Sequence, residues 1–166
     1  TQVAVVETIL KNNQSILYRN NSCDLQLNKN DIDNINFQDY SAVFISGTTL
    51  SSNPSRDAVF YATQKASSLS IPLIIDMDYR PYNWESDEIK SNIYKKIMNE
   101  MDIIIGNDLE FNIADNSTEG FQLAKSFINE KPSIIIYKMG EKGSTVITKE
   151  KEQNFGIFKV EAIKPT

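Results

Sequence analysis

The sequence predicts an α/β fold on a mostly parallel sheet. Three observations lead there: short runs made only of apolar residues, amphipathic stretches with helical spacing between them, and no internal repeat or linker that would divide the chain. The apolar runs at 42–46, 73–75, 103–105 and 134–137 read as parallel strands covered on both faces by the intervening helices. A chain of 166 residues, 40% hydrophobic and 23% charged, is long enough for one domain with a sizeable core.

Residues 2–9 (QVAVVETI) and 15–19 (SILYR) flank Lys11-Asn12-Asn13-Gln14 and predict two strands joined by an Asn-rich turn. They stand outside the strand–helix alternation, as a small separate β element. The polar stretch 20–41 allows a short helix near 31–37. The run AVFIS (42–46) ends in Gly47-Thr48-Thr49. Asn53-Pro54 then opens a helix with Pro in its first turn and Asp57 early, where the dipole favours an acid. Ala58, Ala62, Ala66 and Leu69 give that helix one apolar stripe. The strand at 73–75 runs into Asp76-Met77-Asp78-Tyr79-Arg80. A helix over 86–99 follows, with Ile89, Ile93 and Ile97 at four-residue steps. The strand at 103–105 leads to Gly106-Asn107 and helical stretches, including 118–129 with Phe121, Leu123, Ala124 and Phe127. The strand at 134–137 meets KMGEKGS (138–144), and alternating strands at 145–148 and 155–160 close the chain.

Composition removes several kinds of chemistry. A net charge of −5 and a pI near 4.8 argue against a broad nucleic-acid surface. The chain has no histidine, which excludes Ser-His, Cys-His and His acid–base mechanisms and His-ligated metals. Its one cysteine, Cys23, forms no internal disulfide or CxxC site, and beside Ser22 and Asp24 without a base it reads as structural. No apolar run approaches the roughly 18 residues of a membrane span, and no signal-peptide pattern opens the chain. A soluble, cytoplasmic protein without membrane or nucleic-acid partners is expected. Neither a GxxxxGK[ST] phosphate loop nor a GxGxxG dinucleotide loop occurs.

Open α/β sheets bind ligands at the carboxyl ends of their strands. Those ends carry Gly47-Thr48, then Asp76, Asp78 and Arg80, then Asn107 to Glu110, then Lys138 to Ser144. Asp76, Asp78 and Arg80 alternate on an extended segment and would share one face. Arg80 there suits an anionic substrate, or the segment is a surface turn with a local ion pair. Asn107 and Glu110 suit a hydrated Mg²⁺ beside a nucleotide, or simply cap a helix. Gly140 and Gly143 allow close approach to a phosphate, or a tight turn between strands. Arg19 reads first as an edge-strand charge. Trp84 and Tyr82 read as packing for the loop after the second strand.

Taken together, SILYRNNSCDLQL (15–27), ISGTTLSSNPSRDAVFYA (45–62), IIDMDYRPYNWES (74–86), DIIIGNDLEF (102–111), YKMGEKGS (137–144) and GIFKVEAIKPT (156–166) resemble the ribokinase-like carbohydrate kinases. Within that family they are similar to the branch that phosphorylates 5-dehydro-2-deoxygluconate in inositol catabolism. The resemblance implies a three-layer α/β/α sandwich with a mostly parallel sheet and part of a small β-sheet lid, incomplete at both ends. Residues 1–27 would be lid strands and connection, and 28–166 a partial kinase domain. The implied reaction moves the ATP γ-phosphoryl group to the 6-hydroxyl of a keto-deoxy sugar acid, with Mg²⁺. Arg19 and Arg80 match two arginines that contact the substrate acid, and Gly47 and Thr48 match the loop lining the sugar pocket. Asn107 and Glu110 match a motif that positions Mg²⁺ and phosphates without direct metal ligation. Lys138, Gly140 and Gly143 match the turn beside the nucleotide. The lid strands imply a homodimer.

The family's Gly-Ala-Gly-Asp motif, with its backbone donors and general base, would follow Thr166. No catalytic residue is therefore assigned within the chain, which reads as a central fragment, inactive alone. Apolar surface exposed by such a fragment would favour self-association. The other readings are a 2-dehydro-3-deoxygluconate kinase, a fructokinase, or a non-catalytic binding module of the same fold. A neutral sugar would leave two arginines without a carboxylate.

Overall fold

The computed structural model describes residues 2–6, 15–19, 22–80, 84 and 86–159. Strands β1 (Gln2–Val6) and β2 (Ser15–Arg19) pair antiparallel in a two-stranded sheet of their own, with Val3 opposite Tyr18. The Asn-rich turn expected between them lies outside the described residues.

The second sheet has six strands in chain order. β3 (Val43–Ser46), β4 (Leu73–Asp76), β5 (Ile103–Asn107) and β6 (Ile134–Lys138) run parallel, and β7 (Ser144–Ile147) and β8 (Glu152–Phe155) continue it antiparallel. α1 (Lys29–Asp33) precedes the sheet. α2 (Ser55–Ser68) links β3 to β4, α3 (Asp87–Met98) links β4 to β5, and α4 (Asp108–Asp115) with α5 (Gly120–Phe127) link β5 to β6. The α/β class and mostly parallel sheet are as the sequence predicts.

Right-handed crossovers between strands taken in order place their helices on one face of the sheet. Burial follows this. Ile45, Ile75, Ile104, Ile135 and Ile147 form one row across five strands, each 6% exposed or less. They pack in one core with Ala58, Ala62, Tyr94, Ile97, Phe111 and Ala124 of the helices. The adjacent row points the other way. Its Phe44 is 61% exposed, and its partners Ile74, Ile103 and Ile134 are half-buried. Among the described residues, helices therefore cover one face of the expected two.

Several elements differ from expectation. The helix near 31–37 is α1 followed by a separate 3₁₀ turn, Phe37–Asp39, because an Asn28–Asp31 capping box starts α1 earlier. Pro54 occupies the cap position just before α2. Leu69 caps the other end at 42% exposure, outside the buried stripe of Ala58, Ala62 and Ala66. In α3 the buried positions are Lys90, Ser91, Tyr94, Ile97 and Met98, while Ile89 and Ile93 are only half-buried. Four-residue steps drift around a helix of 3.6 residues per turn, and Tyr94 takes the centre because its hydroxyl finds a partner. The stretch 118–129 is ordered as a helix only over α5. Strand 155–160 is displaced to β8: Thr148 N–H bonds the Lys151 carbonyl at 2.9 Å, and that turn starts the return strand at Glu152. No helix among the described residues is long and apolar enough to cross a membrane.

Candidate active site at the carboxyl ends of the parallel strands

β3 ends at Ser46 and turns at once into a 3₁₀ turn, Gly47–Leu50. Gly47 is buried, and a β-carbon on it would overlap the Met77 carbonyl oxygen. Only glycine lets the exits of β3 and β4 touch here. The Tyr94 hydroxyl donates to that carbonyl at 2.8 Å. Burial pushes the Tyr94 hydroxyl pKa far up, and the charges of Glu110 and Asp78 push the same way, so it stays protonated and keeps donating.

The Ser46 hydroxyl donates to Asp78 Oδ2 at 3.0 Å and lies 3.0 Å from Thr48 Oγ1. Asp78 Oδ1 holds Arg80 Nη2 at 2.7 Å. The sequence places Asp76, Asp78 and Arg80 on one face, but the run is not extended. Asp78 sits at φ +34°, in the left-handed region, and its N–H donates to Asp76 Oδ1 at 3.2 Å. The two carboxylates consequently diverge. Asp78 serves Arg80 and Ser46, and Asp76 takes Lys138 Nζ at 3.1 Å, across the end of β5. The local ion pair at Arg80 is present. Among the described residues Asp78 is the one ion-pair partner of Arg80, and the remaining guanidinium donors suit a second, planar acid.

Asn107 and Glu110 open α4 with a reciprocal capping box: Glu110 N–H donates to Asn107 Oδ1 at 2.9 Å, and Asn107 N–H to Glu110 Oε2 at 2.7 Å. The capping role is thus real. Glu110 does more, since its Oε1 accepts Tyr79 N–H at 3.0 Å while the side chain is only 6% exposed. One carboxylate ties the start of α4 to the residue between Asp78 and Arg80. The Tyr79 ring is also covered by the Lys90 ammonium, 5.0 Å from its centroid, which pairs with Asp87 at 2.5 Å. Burial lowers the Lys90 pKa, but Asp87 and Tyr79 more than offset it, so Lys90 stays charged.

Gly140 opens a 3₁₀ turn at φ +55° and Gly143 follows it at φ +87°, where a β-carbon would overlap the Phe155 carbonyl of β8. The positive φ of the turn and the close approach of β8 therefore account for Gly143. Arg19 lies at the end of β2, and its side chain is outside the described residues, as is Tyr82. Trp84 packs on Tyr94 with ring centroids 5.3 Å apart. Sequence reasoning missed Ser46, Tyr79, Tyr94 and Lys90. Ser46 directly precedes the predicted Gly47-Thr48 loop, but nothing local marks the other three.

The described residues contain no group of three His, Cys, Asp or Glu side chains able to hold a metal ion. An apolar groove of about 410 Å³ lies along β3, lined by Ile32, Phe37, Val43 and Phe44 among others, and Asp78 and Arg80 are not part of it.

Small hydroxyls, a paired arginine, a lysine and a helix cap thus collect at adjacent strand ends, and the whole chain, residues 1–166, matches the pfkB family carbohydrate kinase profile. The chain belongs to the pfkB carbohydrate kinase family. A 5-dehydro-2-deoxygluconokinase of Lacticaseibacillus casei is 34% identical over 153 residues, covering 90% of this chain and 47% of that protein. The PfkB protein of Polaromonas sp. JS666 superimposes with a TM-score of 0.84 at 14% identity, covering 96% of this chain and 55% of the other. A fructokinase of Xylella fastidiosa with bound ATP superimposes at 0.82 and 13% identity, covering 97% and 50%. The chain spans about half the length of the curated relatives it matches.

Proposed function

We propose that this chain contributes the sugar-acid and nucleotide faces of an ATP-dependent kinase that phosphorylates the 6-hydroxyl of 5-dehydro-2-deoxygluconate. The supporting observation is Arg80 at the end of β4, oriented by Asp78 at 2.7 Å and backed by Ser46 and Thr48. A guanidinium fixed on one side by a carboxylate offers its other edge to a planar acid, which selects an acid over a neutral sugar. Arg19 supplies the second contact to that acid, and Gly47 and Thr48 line the sugar. Asn107, Glu110, Lys138, Gly140 and Gly143 face the nucleotide phosphates and their Mg²⁺. Lys138 is held in place by Asp76. ATP bound to the Xylella fastidiosa fructokinase of the same fold supports the nucleotide half. The relatives' name supports the acceptor. The ribbon β1–β2 serves as lid and dimer contact, with Val3, Val5 and Tyr18 exposed at 51%, 52% and 60%. The setting is cytoplasmic.

In this reading residues 1–166 supply no general base. Asp76 is engaged by Lys138, and Asp78 by Arg80 and Ser46. Residues 1–166 alone are therefore expected to turn over more slowly by orders of magnitude than a chain that supplies the base. The deciding assay is ADP release from Mg-ATP with 5-dehydro-2-deoxygluconate, 2-dehydro-3-deoxygluconate or fructose. It is run on residues 1–166 and on the product of the full reading frame. Turnover by the latter only, preferring the 5-dehydro acid, is expected. Preference for fructose overturns the sugar-acid assignment. Turnover by residues 1–166 alone moves the base to Asp76 or Asp78.

A further inference from the structure

Arg56 is one of only three arginines in the chain, and the kinase reading does not use it. It lies in the first turn of α2, and its side chain folds back over the turn after β3. Its Nε donates to the Leu50 carbonyl at 2.7 Å and its Nη2 to the Ser51 carbonyl at 2.6 Å. The same turn is held from within. The Thr49 hydroxyl donates to Ser46 O at 2.7 Å, Ser51 to Thr48 O at 3.1 Å, and Ser55 to Thr49 O. With Arg56 included, each carbonyl from Thr48 to Ser51 accepts a side-chain hydrogen bond.

The guanidinium carbon also stands 5.8 Å from the centre of the Trp84 ring. Trp84 follows Arg80 by four positions, and its ring rests on Tyr94, which bonds the Met77 carbonyl beside Gly47. The turn after β3 and the loop after β4 are thus joined twice. On the inner side Ser46 bonds Asp78, which holds Arg80. On the outer side Arg56 grips the first loop through two carbonyls and sets its guanidinium over the aromatic ring of the second. A lysine offers neither the two-pronged donor geometry nor the flat face.

We propose that Arg56 is a positioning residue that locks the Ser46–Ser51 turn and the Arg80 loop into one frame, and so sets the geometry in which Arg80 meets a ligand carboxylate. The ligand half of this rests on the sugar-acid reading above. The test compares R56K, R56M and W84L with the unaltered product of the full reading frame, each checked for folding by a thermal melt. Hydrogen–deuterium exchange over 46–51 and 76–80, without ligand, reads the frame. Equilibrium dialysis with 5-dehydro-2-deoxygluconate reads the ligand.

R56M and R56K are expected to speed exchange in both segments by about fivefold or more and to weaken sugar-acid binding by about tenfold, the size of one lost charged hydrogen bond. W84L is expected to loosen 76–80 while leaving 46–51 protected. Unchanged exchange at 76–80 in either R56M or W84L overturns the frame. Wild-type protection and affinity in R56K overturn the requirement for arginine. Should R56M fail to fold, W84L and R56K decide the same question. If the unaltered protein binds no sugar acid, the ligand half is overturned together with the functional reading. The exchange result still decides the frame, because it is measured without ligand.

Discussion

At Gly47 a single missing methyl group decides whether two strand exits can meet. A β-carbon would overlap the Met77 carbonyl oxygen and approach the Tyr94 hydroxyl to 3.0 Å, both parts of one buried hydrogen bond. Gly47→Ala is therefore expected to cost about 1–3 kcal/mol, as overpacking in a rigid surrounding does, read as a lower urea midpoint with an unchanged slope. Gly140 is the contrast. Nothing lies within 4 Å of a β-carbon there, and only its φ of +55° opposes a side chain, so Gly140→Ala should cost about 1–2 kcal/mol from backbone conformation alone. Equal losses at both that track the backbone term would show that the β3 and β4 exits separate easily. From the sequence, Gly47 is legible as a strand-end glycine. Its contact is not, because Met77 comes from another strand.

The start of α4 joins a local rule to a distant contact. An Asn107–Glu110 capping box can be read from three-residue spacing, and the structure contains it. The bond from Tyr79 N–H to Glu110 Oε1 spans 31 positions and has no local signature. Glu110→Ala leaves two half-buried backbone N–H groups, those of Tyr79 and Asn107, unpartnered. At about 1–3 kcal/mol for each such donor the expected loss is about 2–6 kcal/mol. Glu110→Gln keeps one carbonyl acceptor and should lose less. Denaturant unfolding of the pair measures this, and equal losses in both variants would mean that the acceptor Gln retains contributes nothing. In α3 the same division recurs: the helix is evident from its isoleucines, but its buried face is centred on Tyr94, whose partner is the Met77 carbonyl.

Across the whole molecule the two faces of the sheet differ in what they cost to disturb. Ile135 is fully buried beneath the helices, while its neighbour Ile134 lies on the half-buried face with Ile103 and the exposed Phe44. Ile135→Ala should cost about 2–5 kcal/mol. Ile134→Lys should cost less than that, and should lower the binding of a hydrophobic dye and the light scattering of residues 1–166, because it charges an exposed apolar surface. Unchanged dye binding in Ile134→Lys would place the sticky surface elsewhere, with the groove along β3 as the next place to substitute.

The sequence alone was enough for the α/β class, the four parallel strands, the helices between them and the strand ends where Gly47, Asp76, Arg80, Asn107 and Lys138 collect. Each of these is written in short-range terms: apolar runs, periodicity, a Gly or an Asn at the right step. Tertiary structure decided which strand closes the sheet, where Asp76 and Asp78 point, and what Arg56 and Glu110 hold. The Lys138–Asp76 bond links residues 62 positions apart, and it exists because β4 and β6 are placed on either side of β5 with their carboxyl ends level. No local pattern specifies that placement. It follows from the order in which strands pair, and pairing is settled by burying one face of the whole sheet at once.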